Sequence, residues 1–251
     1  VLDCHEFVFG NKLGTAMPEI ESLPDGTSLQ RHNLNHQAIE DYLKTIYMLA
    51  QEESPVSTSR IAEAREVKPA SATSMIKRLA NLMMVNYEKH YGVTLTSAGE
   101  KLALEVIRHH RLIELYLIEA LGFSWDEVHE QADILEHVIS EKLEERIAAV
   151  LNYPEFDPHG DPIPAKDGSM ALVDVERLST VPAGQTVWVR RIIDDANSEL
   201  LRYLAEMGLV PGTAVTVQTI APFDGPLTLI IADETKVIGR NVARSVLVEL
   251  A

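Results

Sequence analysis

Val56-Ser57-Thr58-Ser59-Arg60-Ile61-Ala62-Glu63-Ala64, then Val67-Lys68-Pro69, then Ala70-Ser71-Ala72-Thr73-Ser74-Met75-Ile76-Lys77-Arg78-Leu79, is the stretch on which the fold turns. Ser and Thr at its front cap a short helix, and a second helix starts near Ala70, after Pro69. In the second helix Ala72, Met75, Ile76 and Leu79 recur at the three-and-four spacing of one inward face, leaving Lys68, Ser71, Ser74, Lys77 and Arg78 outside. Two helices joined by so short a turn make a helix-turn-helix. Upstream, Ile39, Tyr42, Leu43, Ile46, Tyr47 and Ala50 share one face of a helix over about 36–52, with Asn35 placed to cap it. Downstream, Val85-Asn86-Tyr87-Glu88 and Gly92-Val93-Thr94-Leu95 flank the polar tip Lys89-His90-Tyr91 as a two-stranded wing, and Thr96-Ser97-Ala98-Gly99-Glu100 opens a long helix.

Charge decides what such a unit can bind. The 251-residue chain carries a formal net charge of −16, which excludes a protein that coats nucleic acid indiscriminately, since that affinity comes from neutralising phosphates with Lys and Arg. Over residues 60–91, however, six basic side chains face three acidic ones. The DNA-facing set is Arg60, Lys68, Pro69, Ser71, Ala72, Ser74, Lys77 and Arg78: the cations meet phosphates, and the short Ser71, Ala72 and Ser74 let the recognition helix approach base edges. The plainer alternative is a solvated helical hairpin with a mixed surface.

Composition sets the class. Apolar residues make up 46% of the chain, enough for real cores, while runs such as Ile147-Ala148-Ala149-Val150-Leu151 fall far short of the roughly 18 residues a membrane-spanning helix needs. A single cysteine, Cys4, and no charged-then-apolar signal point to a reducing cytoplasm. Residues 1–33 lack sustained periodicity and read as an extension. The spacing predicts helix over about 98–152, broken at Gly122-Phe123-Ser124. Pro154, Pro158, Pro162 and Pro164 then mark a joint, and Trp188 and the strands around it, with one helix near 197–207, predict a small barrel. The expected architecture is mainly α with a small β domain: an extension (1–33), a winged helix-turn-helix (34–103), a helical metal-binding and dimerisation domain (104–153), a Pro-rich linker (154–170) and an SH3-like domain (171–251).

His129, Asp133, Glu136 and His137 fall at i, i+4, i+7 and i+8, which on a continuous helix sets four ligand-type side chains on one stripe. His110 and Glu114 form an i, i+4 pair on the preceding helix, and Asp41 on the first helix can complete a site. Imidazole and carboxylate groups from separate helices suit a harder divalent ion such as manganese, although the same spacing also stabilises an exposed helix by a few tenths of a kcal/mol. His90 at the wing tip reads equally as a phosphate contact or a solvated tip, His159 in the joint as local packing, and Trp125 and Trp188 as core anchors.

The sequence resembles the diphtheria toxin repressor family of metal-dependent transcriptional repressors over about 36–251. The matching elements are Glu40-Asp41-Tyr42-Leu43 with Ile46-Tyr47, Arg60-Ile61-Ala62-Glu63, Leu95-Thr96-Ser97-Ala98-Gly99, Arg108-His109-His110-Arg111-Leu112, Val128-His129-Glu130, Glu136-His137-Val138-Ile139-Ser140 and Gly160-Asp161-Pro162-Ile163-Pro164. The resemblance implies a primary metal site at Asp41, Asp133, Glu136 and His137, and an ancillary site at His110, Glu114 and His129. Asp41 and Asp133 stand where the iron branch places sulfur ligands, which implies Mn(II), with Fe(II) the alternative. Lys44 stands where a manganese-branch relative has a further carboxylate. The barrel resembles both an SH3-like domain and the small domain of ferrous-iron transport proteins, and Asp194, Asp195 and Glu199 are its candidate ligands, with Asp195 or Asn197 equally placed as a helix cap and Glu199 as a first-turn dipole partner. The implied function is a homodimeric, Mn(II)-dependent repressor of metal-transport genes that reads a palindromic operator, its two recognition helices about 34 Å apart. A metal-dependent hydrolase and a repressor sensing an organic ligand are the rival readings. The ordinary imidazole pKa near 6.5 places the acid loss of metal binding near pH 6.

Overall fold

The computed structural model describes residues 26–193 and 196–250. Helix α1 (Gly26–Ala50) begins ten residues before the helix expected from periodicity. It is followed by α2 (Thr58–Ala64) and α3 (Pro69–Asn81), then by strands β1 (Val85–Glu88) and β2 (Gly92–Leu95). Ser57 caps α2 by accepting from the Arg60 amide, and Pro69 occupies the first turn of α3, where a missing N–H costs nothing. The two strands pair antiparallel from Val85 opposite Leu95 to Glu88 opposite Gly92, so the wing is present. One core joins these pieces: Leu43 and Ile46 of α1, Ile61 of α2, Ala72, Ile76 and Leu79 of α3, and Val93 of the wing are all fully buried. Each large aliphatic side chain among them contributes about 1.5–3 kcal/mol by leaving water, so the reading head is held from inside. Ala72 therefore belongs to the core and offers no surface to DNA, because the position that faces inward on α3 cannot also face outward.

Helix α4 (Ser97–Leu121) runs unbroken from the wing into the helical region. Thr96 caps its start by accepting from the Gly99 amide, and Gly122, left-handed at φ 74°, ends it. Two shorter helices follow, α5 (Val128–Leu135) and α6 (Glu141–Val150), the latter capped by Ser140. A turn over residues 136–140 thus separates them where continuous helix was expected, and Glu136 and His137 lie in that turn rather than on a helical stripe. Helix α4 packs against both, through Ile113 and Leu117 toward Val128 and Ala132 of α5, and through Leu112 toward Ile147 and Ala148 of α6.

The C-terminal region is a six-stranded antiparallel sheet in the order β3-β8-β4-β5-β6-β7. Its strands are β3 (Glu176–Arg177), β4 (Thr186–Ile192), β5 (Ala214–Ile220), β6 (Leu227–Ile231), β7 (Glu234–Ile238) and β8 (Val246–Leu250), with α7 (Ser198–Met207) after β4 and α8 (Arg240–Arg244) before β8. Alternating burial, as in Val187 and Val189 of β4 and Leu227, Leu229 and Ile231 of β6, makes one face the core that α7 covers with Leu201 and Leu204. Trp188, on the opposite face of β4, is 41% exposed and is not a core anchor. Among the described residues no helix is long and apolar enough to cross a membrane.

The Pro-rich joint is clamped from both sides. Arg111 of α4 donates to the Pro162 carbonyl and pairs with Asp161 at 2.8 Å, and Arg108 donates to the Pro164 carbonyl at 2.8 Å. From the sheet, Arg191 pairs with the same Asp161 at 2.7 Å and the Ile192 amide donates to the His159 carbonyl at 2.9 Å. Gly160 permits this approach: its φ is +89°, and a Cβ there would lie 1.8 Å from the Arg190 carbonyl oxygen. Gly160→Ala should therefore lower unfolding stability by more than about 2 kcal/mol, combining left-handed strain with overpacking against backbone. Chemical denaturation checks this; a change within about 0.5 kcal/mol, typical of a neutral surface site, would contradict the close approach.

Candidate metal centre

Five segments converge on one side of α4. Helix α1 supplies Glu40, Asp41 and Lys44; α4 supplies His110 and Glu114, one turn apart; α5 supplies His129 and Asp133; the turn after α5 supplies Glu136 and His137; the joint supplies Asp157 and His159. Asp41, Lys44, His110, His129, Asp133 and His137 line a cleft of about 660 Å³ that also reaches Arg65.

In the first group, His137 Nε2 lies 3.0 Å from Asp41 Oδ1 and 3.6 Å from Glu136 Oε1. The other ring nitrogen, Nδ1, lies 2.6 Å from Glu40 Oε2. A carboxylate behind an imidazole fixes the ring's orientation and raises its basicity, so Glu40 aims Nε2 at the Asp41 and Glu136 oxygens. Burial opposes charge on His137, but the hydrogen bonds its ring donates to Asp41 and Glu40 outweigh it and hold its pKa at about 9. Asp41, despite burial that would raise it, is held below the usual carboxylate range by His137 and by Arg65, whose guanidinium donates to Oδ2 at 2.6 Å.

The second group is tighter. His110 Nε2 lies 2.9 Å from Glu114 Oε1 and 3.2 Å from His129 Nδ1, and His129 Nδ1 lies 3.2 Å from the same oxygen. The other face of His110 belongs to a third group, in which Nδ1 lies 2.5 Å from Glu136 Oε2 and 3.3 Å from Asp133 Oδ1. Asp133 thus sits with His110 and Glu136 rather than with Asp41 and His137, as the resemblance had implied. The helix ends at Leu135, so the chain turns His137 toward α1 while Asp133, half exposed, remains over α4.

A fourth group was not anticipated. Glu114 Oε2, Asp157 Oδ2 and His159 Nδ1 are all buried and lack hydrogen-bond partners, with the Glu114 oxygen 3.6 Å from the imidazole nitrogen and the Arg111 guanidinium 3.6 Å from the Asp157 oxygen. His159 Nε2 lies 2.9 Å from the Trp125 carbonyl, an acceptor only, so Nε2 carries the proton and in the neutral ring Nδ1 offers its lone pair to the group. Asp157 Oδ1 accepts from the His159 and Asp161 amides, leaving Oδ2 directed inward. Burial, with Asp161 and Glu114 close by, pushes the Asp157 carboxyl up to about 8. Burial opposes the positive His159, but Glu114 holds its pKa at about 9. His159 is therefore part of a polar cluster and not local packing alone. The signal that could have found it was the Asp157-Pro158-His159 spacing, two ligand-type residues in a joint with little reason to bury either.

Each group brings imidazole nitrogens and carboxylate oxygens within 4.8 Å of one another, a donor set that fits a divalent first-row ion. Orphaned buried atoms in the fourth group support the same fit, since such groups ordinarily find partners. Glu199, in the first turn of α7, is exposed and joins none of the groups; Asp194 and Asp195 lie outside the described residues. On the reading head, Lys68, Pro69, Ser71, Ser74, Lys77 and Arg78 are exposed on one side of α3, and Arg60 is engaged by Glu52 at 2.6 Å and Glu53 at 3.3 Å.

Comparison with known proteins matches three stretches of the chain. Residues 36–93 match the iron dependent repressor N-terminal DNA binding domain, residues 96–165 the iron dependent repressor metal binding and dimerisation domain, and residues 176–250 the FeoA domain. The iron-dependent repressor IdeR of Mycobacterium leprae is 33% identical over 221 residues, covering 84% of this chain and 96% of its own. The chain belongs to the iron-dependent repressor family. Its members are DNA-binding transcriptional repressors, not enzymes; the diphtheria toxin repressor of Corynebacterium jeikeium is 34% identical over 139 residues, 55% of this chain and 58% of its own. Among solved structures, a manganese-dependent transcriptional repressor in complex with manganese is 38% identical with a TM-score of 0.77, covering 85% of this chain and all of that one. ScaR with bound Cd2+ is 32% identical with a TM-score of 0.71, covering 85% of this chain and 99% of that one.

The raised His137 pKa moves the pH dependence expected for this member of the family. An imidazole still protonated at neutral pH must release its proton to ligate, so metal affinity should climb with pH and level off only above about 9. Competition against a chromophoric chelator should show Mn(II) affinity rising about tenfold per pH unit for each proton displaced, from about pH 6.5 to 8.5. A curve already flat above about pH 7 would mean that His137 carries an ordinary pKa of about 6.5 in the metal-free chain.

Proposed function

We propose that the chain is a homodimeric repressor of metal-transport genes in the cytoplasm, activated by Mn(II), with the primary ion held by Asp41, Glu136 and His137. The observation that carries this reading is the division of those ligands: Asp41 projects from α1, whose Tyr42, Leu43, Ile46 and Tyr47 pack the reading-head core, whereas Glu136 and His137 follow α5. An ion would supply the positive charge that draws these carboxylates and the imidazole together. Before it binds, His137 holds a proton between Asp41 and Glu40, and Arg65, at the end of α2, engages the second Asp41 oxygen. Ligation releases that proton and changes the balance between Asp41 and Arg65, so the site and the helix-turn-helix respond to the same side chain. His110, Glu114 and His129 are the ancillary ligands, and Asp157 and His159 extend that site through the second oxygen of Glu114.

Manganese over iron rests on the donors. The converging atoms are nitrogens and carboxylate oxygens with no thiolate, which narrows the advantage that Fe(II) holds over Mn(II) at most sites. Exposed apolar side chains on the helical region, among them Ile134, Val138 and Val150, support pairing of two chains there. A twofold dimer would then place two α3 helices one DNA turn apart, about 34 Å, on a palindromic operator.

The test is operator affinity, measured by fluorescence anisotropy on genomic fragments selected with the Mn(II)-loaded protein. Mn(II) should raise affinity at least tenfold over chelator and reach the same plateau as anaerobic Fe(II), and Asp41→Ala should lose the response while remaining folded. Equal affinity with Mn(II) and with chelator would overturn the reading. On the DNA side, Lys77→Ala should weaken binding to all sequences alike and flatten the plot of log affinity against log salt by about one unit, as expected for one lost phosphate contact. An unchanged slope would place Lys77 off the phosphates.

A further inference from the structure

Lys44 stands inside a group of ligands. Its ammonium lies 2.8 Å from Glu136 Oε2, 3.2 Å from Asp133 Oδ1 and 3.0 Å from His110 Nδ1, and its side chain is 21% exposed. Those three side chains are themselves a set whose atoms lie close enough to hold a metal ion. We propose that the Lys44 ammonium is a built-in cation that takes the place of a divalent ion among His110, Asp133 and Glu136, and so determines how many ions the centre accepts. This rests on reading Asp41, Glu136 and His137 as the primary ligands.

Geometry and charge both lead there. Lys44 follows Asp41 by three residues on α1, so the two side chains emerge from the same face of the helix, one toward His137 and the other toward Asp133. Glu136 is then divided: Oε2 receives the ammonium, and Oε1 faces His137 Nε2 at 3.6 Å. Two carboxylate oxygens accept from the ammonium, Glu136 Oε2 and Asp133 Oδ1, while His110 Nδ1, 2.5 Å from the same Glu136 oxygen, donates to it in the metal-free chain. A free divalent ion would need these same lone pairs, and two cations cannot share them. The lysine also costs no metal to recruit, so the Asp133 and Glu136 carboxylates stay neutralised in the metal-free chain. An ordinary surface ion pair would have none of these consequences for metal binding.

The experiment counts ions. Wild type, Lys44→Gln and Lys44→Glu, each checked for folding by circular dichroism, are equilibrated with Mn(II) by dialysis and the bound metal per chain is measured, alongside electron paramagnetic resonance spectra. Lys44→Glu removes the cation and adds a carboxylate, and should bind one more Mn(II) per chain, with exchange coupling between two ions that share Glu136. Lys44→Gln should gain the same ion more weakly, and it carries the comparison alone if Lys44→Glu does not fold. Equal stoichiometry and identical spectra in all three proteins would overturn the proposal. No Mn(II) in wild type but one ion in Lys44→Glu would overturn the Asp41 site while supporting the lysine's role, and no Mn(II) in any of them would overturn both.

Discussion

Glu114 holds a carboxylate charge in the middle of α4 with none of its side chain exposed, and the rest of the centre is arranged around that constraint. A buried ion costs several kcal/mol unless opposite charges and hydrogen bonds surround it. Three imidazoles do so from three directions: His110 one turn earlier on the same helix, His129 from α5 and His159 from the joint. Burial would raise the Glu114 carboxyl, yet His110 and the other histidines hold it well below the usual range. The docking of α5 and of the joint onto α4 is therefore more than apolar packing; both bring nitrogen to an oxygen that could not otherwise be buried as a charge.

The same residue gives the centre its continuity. One oxygen of Glu114 faces His110 and His129, the other faces His159 and Asp157, and His110 passes the connection on through its second nitrogen to Glu136. Glu136 in turn borders His137 and, through it, Asp41 of α1. A change of charge anywhere along this chain of carboxylates and imidazoles alters the field at the reading head. Linkage makes the coupling reciprocal: whatever factor metal adds to DNA affinity, DNA adds to metal affinity.

The charge distribution suits such a device. A chain with net charge −16 is repelled by DNA at long range, while the basic side chains exposed along α3 give the reading head a local positive patch. Arg60 is drawn back onto Glu52 and Glu53, just after α1, and so adds little to that patch.

Local pattern was enough for the helix-turn-helix, the wing, the Pro-rich joint and the strands beyond it, because capping residues, apolar period and proline act within a few residues of chain. The ligand-type residues Asp41, His110, Glu114, His129, Glu136 and His137 were legible for a related reason: few side chains can serve a metal, and apart from Asp41, read as completing the site from the first helix, these recur at helical spacing along the sequence. Their partnerships were not legible. Whether Asp133 meets His137 or His110 depends on α5 stopping at Leu135, which is settled by the packing of α5 and α6 on α4 rather than by helix propensity. Ala72 shows the same limit in the reading head, where a small residue suited to DNA approach is consumed by the core. Asp157, His159 and Lys44 acquire their meaning only when the joint and α1 fold against α4, since a buried orphan oxygen and an ammonium between two carboxylates are properties of distance through space. Spacing along the chain determined which atoms were available, and tertiary packing decided which of them share a charge.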